Sequence, residues 1–211
     1  MQTLLDKGQL YCSTLHYFAN LKDGNFIGDK MENVFHISTF AGSIEIKRKQ
    51  TDPYRLVHKG QIQETTAHFA HKSSGNIFCL YFHDVGKQQM NVIQGGNIEL
   101  IKDWVVVIID AQEFVNRVAN RLKEMSLDFK HHFVSYEDLS KWNGPKGLFT
   151  KDRKYKHQQE YRIWIDNPIN DALLVEIGPI ADIARLLPAS ELKYMGFKRI
   201  PNNQKNHFED R

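Results

Sequence analysis

Between Gln9 and Phe82 the chain offers one strand-length segment after another, with a single helical turn at His16–Leu21 and no helix-length apolar stripe between them. Parallel strands need a long crossover, usually a helix, whereas antiparallel neighbours are joined by turns. The pattern therefore favours antiparallel pairing over a doubly wound parallel sheet. Gln9–Leu15 alternates, with Leu10, Cys12 and Thr14 on one face and Tyr11, Ser13 and Leu15 on the other. Val34–Phe40, Ser43–Arg48, Tyr54–His58 and Gln61–Phe69 follow as strand candidates. Turn signals at Asp23-Gly24-Asn25, Gly28-Asp29 and Asp52-Pro53 separate them, and Ser73-Ser74-Gly75-Asn76 introduces the apolar Ile77–Phe82.

The second half supplies the helix. Trp104–Ile109 is the strongest strand by composition and reads as buried on both faces. Asp110 can cap a helix over Ala111–Met125, whose Phe114, Val115, Val118, Leu122 and Met125 fall at helical spacing. His132–Tyr136, Tyr161–Ile165 and Leu173–Ile177 read as strands, and Ile180–Leu187 as a helix stopped near Pro188, with Ala189–Met195 as a further turn or two. At the start, Leu4–Lys7 reads as a short helix stopped by Gly8. The expectation is one α+β domain over residues 1–200, a mainly antiparallel split β core with one central helix and several short ones. Residues 201–211 form a polar C-terminal tail.

Composition narrows the class of function. The 211 residues are 41% hydrophobic and 25% charged, the balance of a soluble globular protein, and the net charge of +3 imposes no global basic field. Cys12 and Cys79 are far apart, without metal spacing, and are expected as buried free thiols of a reducing cytoplasm. No basic, apolar leader opens the chain, and Trp104–Ile109 is too short to cross a bilayer, so a cytoplasmic protein without a membrane partner is expected.

Chemistry concentrates in Phe149–Ile165, where a basic arm runs into an alternating strand. Period-two geometry puts Gln158, Glu160 and Arg162 on one face and Tyr161, Ile163 and Ile165 on the other. A carboxylate there can stabilise a developing cation, and a nearby amide can orient a nucleophile. Arg162 could equally neutralise Glu160 in a structural pair. An anionic ligand could lie against Lys151, Arg153 and Lys154, within the basic stretch Lys146–Lys156; Glu45–Arg48 is a second, shorter basic group. Asp29 and Glu32 fit a helix cap with its N3 partner. His68 with His71, and His131 with His132, lack a completing ligand set, so no metal site is expected. Gly95-Gly96-Asn97 lacks a phosphate-loop ending and reads as a turn. Asp152, Glu160 and Arg162 loosely match a nuclease pattern in which Arg replaces the usual Lys.

Two segments together resemble uncharacterised bacterial and phage-defence proteins of the abortive-infection type. One is Leu5-Asp6-Lys7-Gly8-Gln9-Leu10-Tyr11-Cys12-Ser13 with Tyr17-Phe18 and Gly28-Asp29-Lys30-Met31-Glu32; the other is Phe149-Thr150-Lys151, Tyr155 and Gln159-Glu160-Tyr161-Arg162-Ile163. The layout also resembles the ADP-ribosyltransferase fold, in which a small-hydroxyl strand lines the nicotinamide pocket of NAD and a late Gln/Glu-x-Glu supplies the catalytic glutamate. That resemblance implies Glu160 and Gln158 as catalytic residues, and Tyr11, Ser13, Thr14, Lys151, Tyr155 and Arg162 around the NAD cofactor. The fold's Arg or His before the hydroxyl motif has no counterpart among the residues preceding Ser13, which leaves Arg55 or His58 to supply it. The implied activity is a toxin or defence effector that modifies a nucleic-acid or protein acceptor and answers to an antitoxin or regulatory partner. A rival reading is a non-catalytic nucleic-acid or protein binding module using the basic arm at 146–156, with Glu160–Arg162 as an ion pair. A third is a metal-dependent nuclease.

Overall fold

The computed structural model describes residues 2–21, 29–48, 55–70, 75–82, 103–169 and 171–194. Among these residues, twelve strands and three α-helices alternate with short 3₁₀ turns. The strands are β1 (Gln9–Thr14), β2 (Val34–Arg48), β3 (Arg55–Ala70), β4 (Asn76–Tyr81), β5 (Trp104–Ile108), β6 (Phe129–Phe133), β7 (Ser135–Glu137), β8 (Gly144–Pro145), β9 (Thr150–Asp152), β10 (Glu160–Ile165), β11 (Leu173–Glu176) and β12 (Ala184–Pro188). The helices are α1 (Gln2–Lys7), α2 (Leu15–Ala19) and α3 (Ala111–Glu124). The mixed, mostly antiparallel architecture agrees with the expectation from sequence at that level.

The central sheet runs β11-β1-β4-β10-β6, every pair antiparallel. One of its faces is apolar: Leu10, Cys12, Ile163, Ile165 and Val175 pack with Phe114, Val118 and Leu122 of α3. Those three helix positions recur at four-residue spacing, so one stripe of α3 enters the core and the rest stays in water. Asp110 caps α3 by accepting from Glu113 N at 3.0 Å. Gly8 ends α1 in the left-handed region, and a Cβ there would sit 1.9 Å from Gly178 O, so both its torsion and its contact demand glycine.

Three expectations need correction. Ile180–Leu187 is not a helix: a turn at 181–183 leads into β12, which pairs antiparallel with β5. The apolar run satisfies either period, and pairing with β5 decides between them. Trp104–Ile109 is not buried on both faces: Trp104 is 48% and Ile109 64% exposed. Val34–Phe40 and Ser43–Arg48 form one continuous strand, β2, which pairs along its length with β3 and bends through register shifts. The turn signals at Asp23–Asn25, Gly28, Asp52-Pro53, Ser73-Ser74 and Gly95–Asn97, together with His71 and the 201–211 tail, lie outside the described residues. No helix of the described residues is long and apolar enough to cross a membrane.

Candidate functional site

Opposite the apolar face, the central sheet carries charge. Register sets Glu160 beside Tyr81 and Arg162 beside Cys79, and antiparallel partners share a face. Above them lie the turn at 29–33, which leads into β2, and the chain from Lys146 to Lys151. Six ionisable side chains are buried in this region: Asp29, Glu32, Lys146, Lys151, Glu160 and Arg162, with Arg162 at 0% exposure. Three carboxylates thus face three cations, and the cluster is formally neutral. Burial of ions is costly unless they are paired and hydrogen-bonded, and four of these, Glu32, Lys151, Glu160 and Arg162, pair with one another.

The pairing is reciprocal. Arg162 Nε and Nη2 both donate to Glu160 Oε1, at 3.2 and 3.1 Å. Its Nη1 turns the other way, to Glu32 Oε1 and to the carbonyl of Leu148, both at 2.5 Å. Lys151 Nζ donates to Glu160 Oε2 at 2.8 Å and to Gln158 Oε1 at 2.7 Å, and lies 3.4 Å from Glu32 Oε2. Both oxygens of Glu160 are therefore occupied by cations. The Glu160 backbone N–H donates to Tyr136 Oη at 2.9 Å, which fixes the start of β10 to β7.

Electrostatics follow from this geometry. Burial pushes the Glu160 carboxyl upward, yet Arg162 and Lys151 more than reverse it and bring its pKa down to about 2. Burial likewise disfavours charged Lys151, but Glu32 and Glu160 turn the balance and raise it. Lys146 is different: burial lowers it despite Glu32 and Asp29 nearby. Asp29 is raised by its own burial and then by Glu32. Its Oδ1 accepts from Met31 N at 2.9 Å, while Oδ2 has no hydrogen-bond partner among the described residues.

The residues singled out from sequence meet different fates. Gln158 is not on the strand: Arg153–Gln158 is a 3₁₀ helix, and β10 begins only at Glu160, after Gln159 reverses the chain at φ 40°. Gln158 and Glu160 nonetheless converge on the ammonium of Lys151. Lys151 itself is withdrawn from any external anion by its burial, as is Lys146. Arg153, Lys154 and Lys156 remain exposed, and Lys154 Nζ stands 4.9 Å from the Tyr155 ring centroid. Glu32 does not serve as a capping-box partner, because its carboxylate turns inward to Arg162 and Lys151. Asp152 caps the 3₁₀ helix, accepting from Lys154 N at 3.0 Å, and lies apart from the Glu160 pairings.

On β1, Tyr11 and Ser13 occupy the charged face, whereas Thr14 points to the buried one and caps α2, accepting from Tyr17 N at 3.0 Å. Ser13 pairs with Ile77, and Ile77 with Trp164. Ser13 is thus two strands across and four residues along from Glu160, roughly 10 Å by 13 Å. One small ring cannot touch both. Arg55 and His58 lie on β3, where only the backbone is described. Cys12 is buried, with its thiol pushed up to about 12 by that burial. Cys79 departs from expectation: it is exposed, although the surrounding protein, and then Glu160, push its thiol well above the ordinary value.

Sequence reasoning missed Glu32 and Lys146 as members of the cluster. The only local signal was charge at buried-strand spacing, Glu-x-Arg in β10, which demands partners from elsewhere. No group of three or more His, Cys, Asp or Glu side chains among the described residues is placed to hold a metal ion. No family model, curated protein or solved structure matches this chain.

Proposed function

We propose that this chain is a nucleic-acid binding module that engages phosphates through Arg153, Lys154 and Lys156. One observation carries the reading: within a single short segment the cations divide into two sets. Lys151 and Arg162 are paired with buried carboxylates and Lys146 is buried beside them, while Arg153, Lys154 and Lys156 stay exposed together on one 3₁₀ helix. That helix is held at both ends, by the Asp152 cap and by the Gln158–Lys151 bond. Asp138 shares the field of Arg153, which leaves Lys154 and Lys156 as the principal contacts. Cations on an anchored element attract a polyanion, and release of its counterions makes the affinity fall with salt. A salt titration of nucleic-acid binding tests it. Neutralising the three residues with Gln should abolish binding, whereas Glu160→Gln should retain it; salt-independent binding would exclude the reading.

A second reading has its own support. Gln158 and Glu160 converge on Lys151, and Tyr11 and Ser13 share the sheet face of Glu160, as an ADP-ribosyltransferase-like effector acting on NAD would require. Glu160 would then stabilise the ribose cation as nicotinamide leaves. It ranks second because Ser13 stands too far from Glu160 for one ring to touch both, Arg162 and Lys151 already compensate the Glu160 charge, and the carboxylate is 6% exposed. Incubation with NAD decides: nicotinamide release by the parent chain and its loss in folded Glu160→Gln would restore this reading.

A further inference from the structure

A continuous row of aromatic rings meets the basic 3₁₀ helix at one end of the central sheet. Phe129, His131 and Phe133 alternate along β6, and Tyr161 of β10 is registered opposite Phe133, so all four lie on the α3 face. Successive ring centroids are close: Phe129–His131 5.9 Å, His131–Tyr161 6.0 Å, Tyr161–Phe133 5.0 Å and Phe133–Phe82 4.5 Å. At the Ile163–Ile165 end this face is core. At the other end it opens, with Phe133 46% and Phe82 38% exposed and His131 also at the surface. The backbone N–H of Phe82 donates to Gln159 O at 2.8 Å, and Gln159 is the C-cap of the basic helix. The row and the basic helix therefore meet through Gln159.

Core packing explains Phe129 and Tyr161, which are half-buried against α3. It does not explain Phe133 on β6 and Phe82 at the end of β4, which stay 46% and 38% exposed. Protection of the β6 edge accounts for Lys130 and His132, but not for them. Charge decides the occupant: exposed cations on the segment that joins the exposed rings match a ligand that presents both phosphates and flat apolar faces. In a duplex those faces are covered by stacking. In a single strand they are free.

We propose that the row from Phe82 through Phe133, Tyr161 and His131 is a stacking platform for the bases of single-stranded nucleic acid, whose phosphates lie along Arg153, Lys154 and Lys156; this rests on the binding reading above. Stacking is tolerant of sequence, since every base has a π face, so selection is for strandedness. The rings supply discrimination and the cations supply attraction.

The test is fluorescence anisotropy of the full chain with a labelled oligothymidylate of about 16 nucleotides and with a duplex of the same length. The single strand should bind about tenfold or more tightly than the duplex, and Phe133→Ala and Phe82→Ala should each weaken it about five- to a hundredfold without moving duplex binding. Phe133→Trp should keep the affinity, which separates stacking from loss of fold, and circular dichroism checks each variant. Equal affinity for both probes, dependent on Lys154 and Lys156 but not on Phe133 or Phe82, would overturn the platform and leave the binding reading standing. Binding of neither probe would overturn both.

Discussion

Lys151 and Lys154 stand three residues apart and have opposite lives. Lys151 is enclosed by Glu32, Glu160 and Gln158, while Lys154 lies on the surface beside Tyr155. The first holds three stretches of chain together: the turn at 29–33, β9 and β10. The second has no ion pair among the described residues and faces solvent, where a ligand can meet it. A positive residue in a sequence is a question about where its counter-charge lies, and only the fold answers it. Buried ions act as a clamp because removing one strands the others; exposed ions add little to the fold because water and salt screen them, which leaves them available to a ligand.

The largest expected effect breaks the clamp. Arg162→Met leaves Glu32 and Glu160 buried without their shared partner and should lower unfolding stability by about 3–5 kcal/mol, read by urea titration. A loss below about 1 kcal/mol would mean that the cluster is hydrated and is no clamp. The second effect is in acid. Glu160 is depressed from 4.5 to about 2, so its contribution is present above pH 4.5 and is lost as pH falls toward 2. The sign follows because the unfolded chain takes up the proton first, and the shift is equivalent to about 3 kcal/mol. Asp29, raised rather than lowered, works in the opposite direction over its own range, so the comparison must be with Glu160→Gln, in which this acid slope should be missing.

The exposed set should behave in the contrary way. Lys154→Gln with Lys156→Gln should change stability by no more than about 0.5 kcal/mol, yet reduce the salt slope of nucleic-acid binding by about one per lysine removed. If the double variant destabilises as much as Arg162→Met, the two regions are not distinct. The smallest effect separates the thiols. A maleimide should label Cys79 alone in the native chain, slowly at neutral pH because its thiol is raised, and Cys12 only on unfolding.

Local features were legible where a single stretch of chain determines them. The Asp110 cap, the α3 stripe, the Gly8 stop and the alternation of β1 are each decided within a turn or a few alternating residues. Ala184–Pro188 was misread because its apolar residues suit two periods and its partner β5 lies far back in the chain. The site was half legible for the same reason. Glu160 and Arg162 announced a charged strand, but Glu32 reaches Arg162 from the opposite half of the sequence, and no local pattern reports that meeting. Gln158 was displaced by one residue, Gln159, whose left-handed backbone breaks the strand before it reaches Gln158.

The sheet order also sets a schedule. β1, made first, lies between β4 and β11, so its outer neighbour is among the last strands to be made. At usual translation speeds roughly ten to thirty seconds separate the two. Through that interval the newborn chain carries Leu10 and Cys12 on a strand whose Gln9–Cys12 edge has nothing to pair with. Ribosomal stalling before Leu173 should thus yield a sticky product that proteases and chaperones recognise, even though nearly every residue of the charge cluster and the aromatic row has already been made.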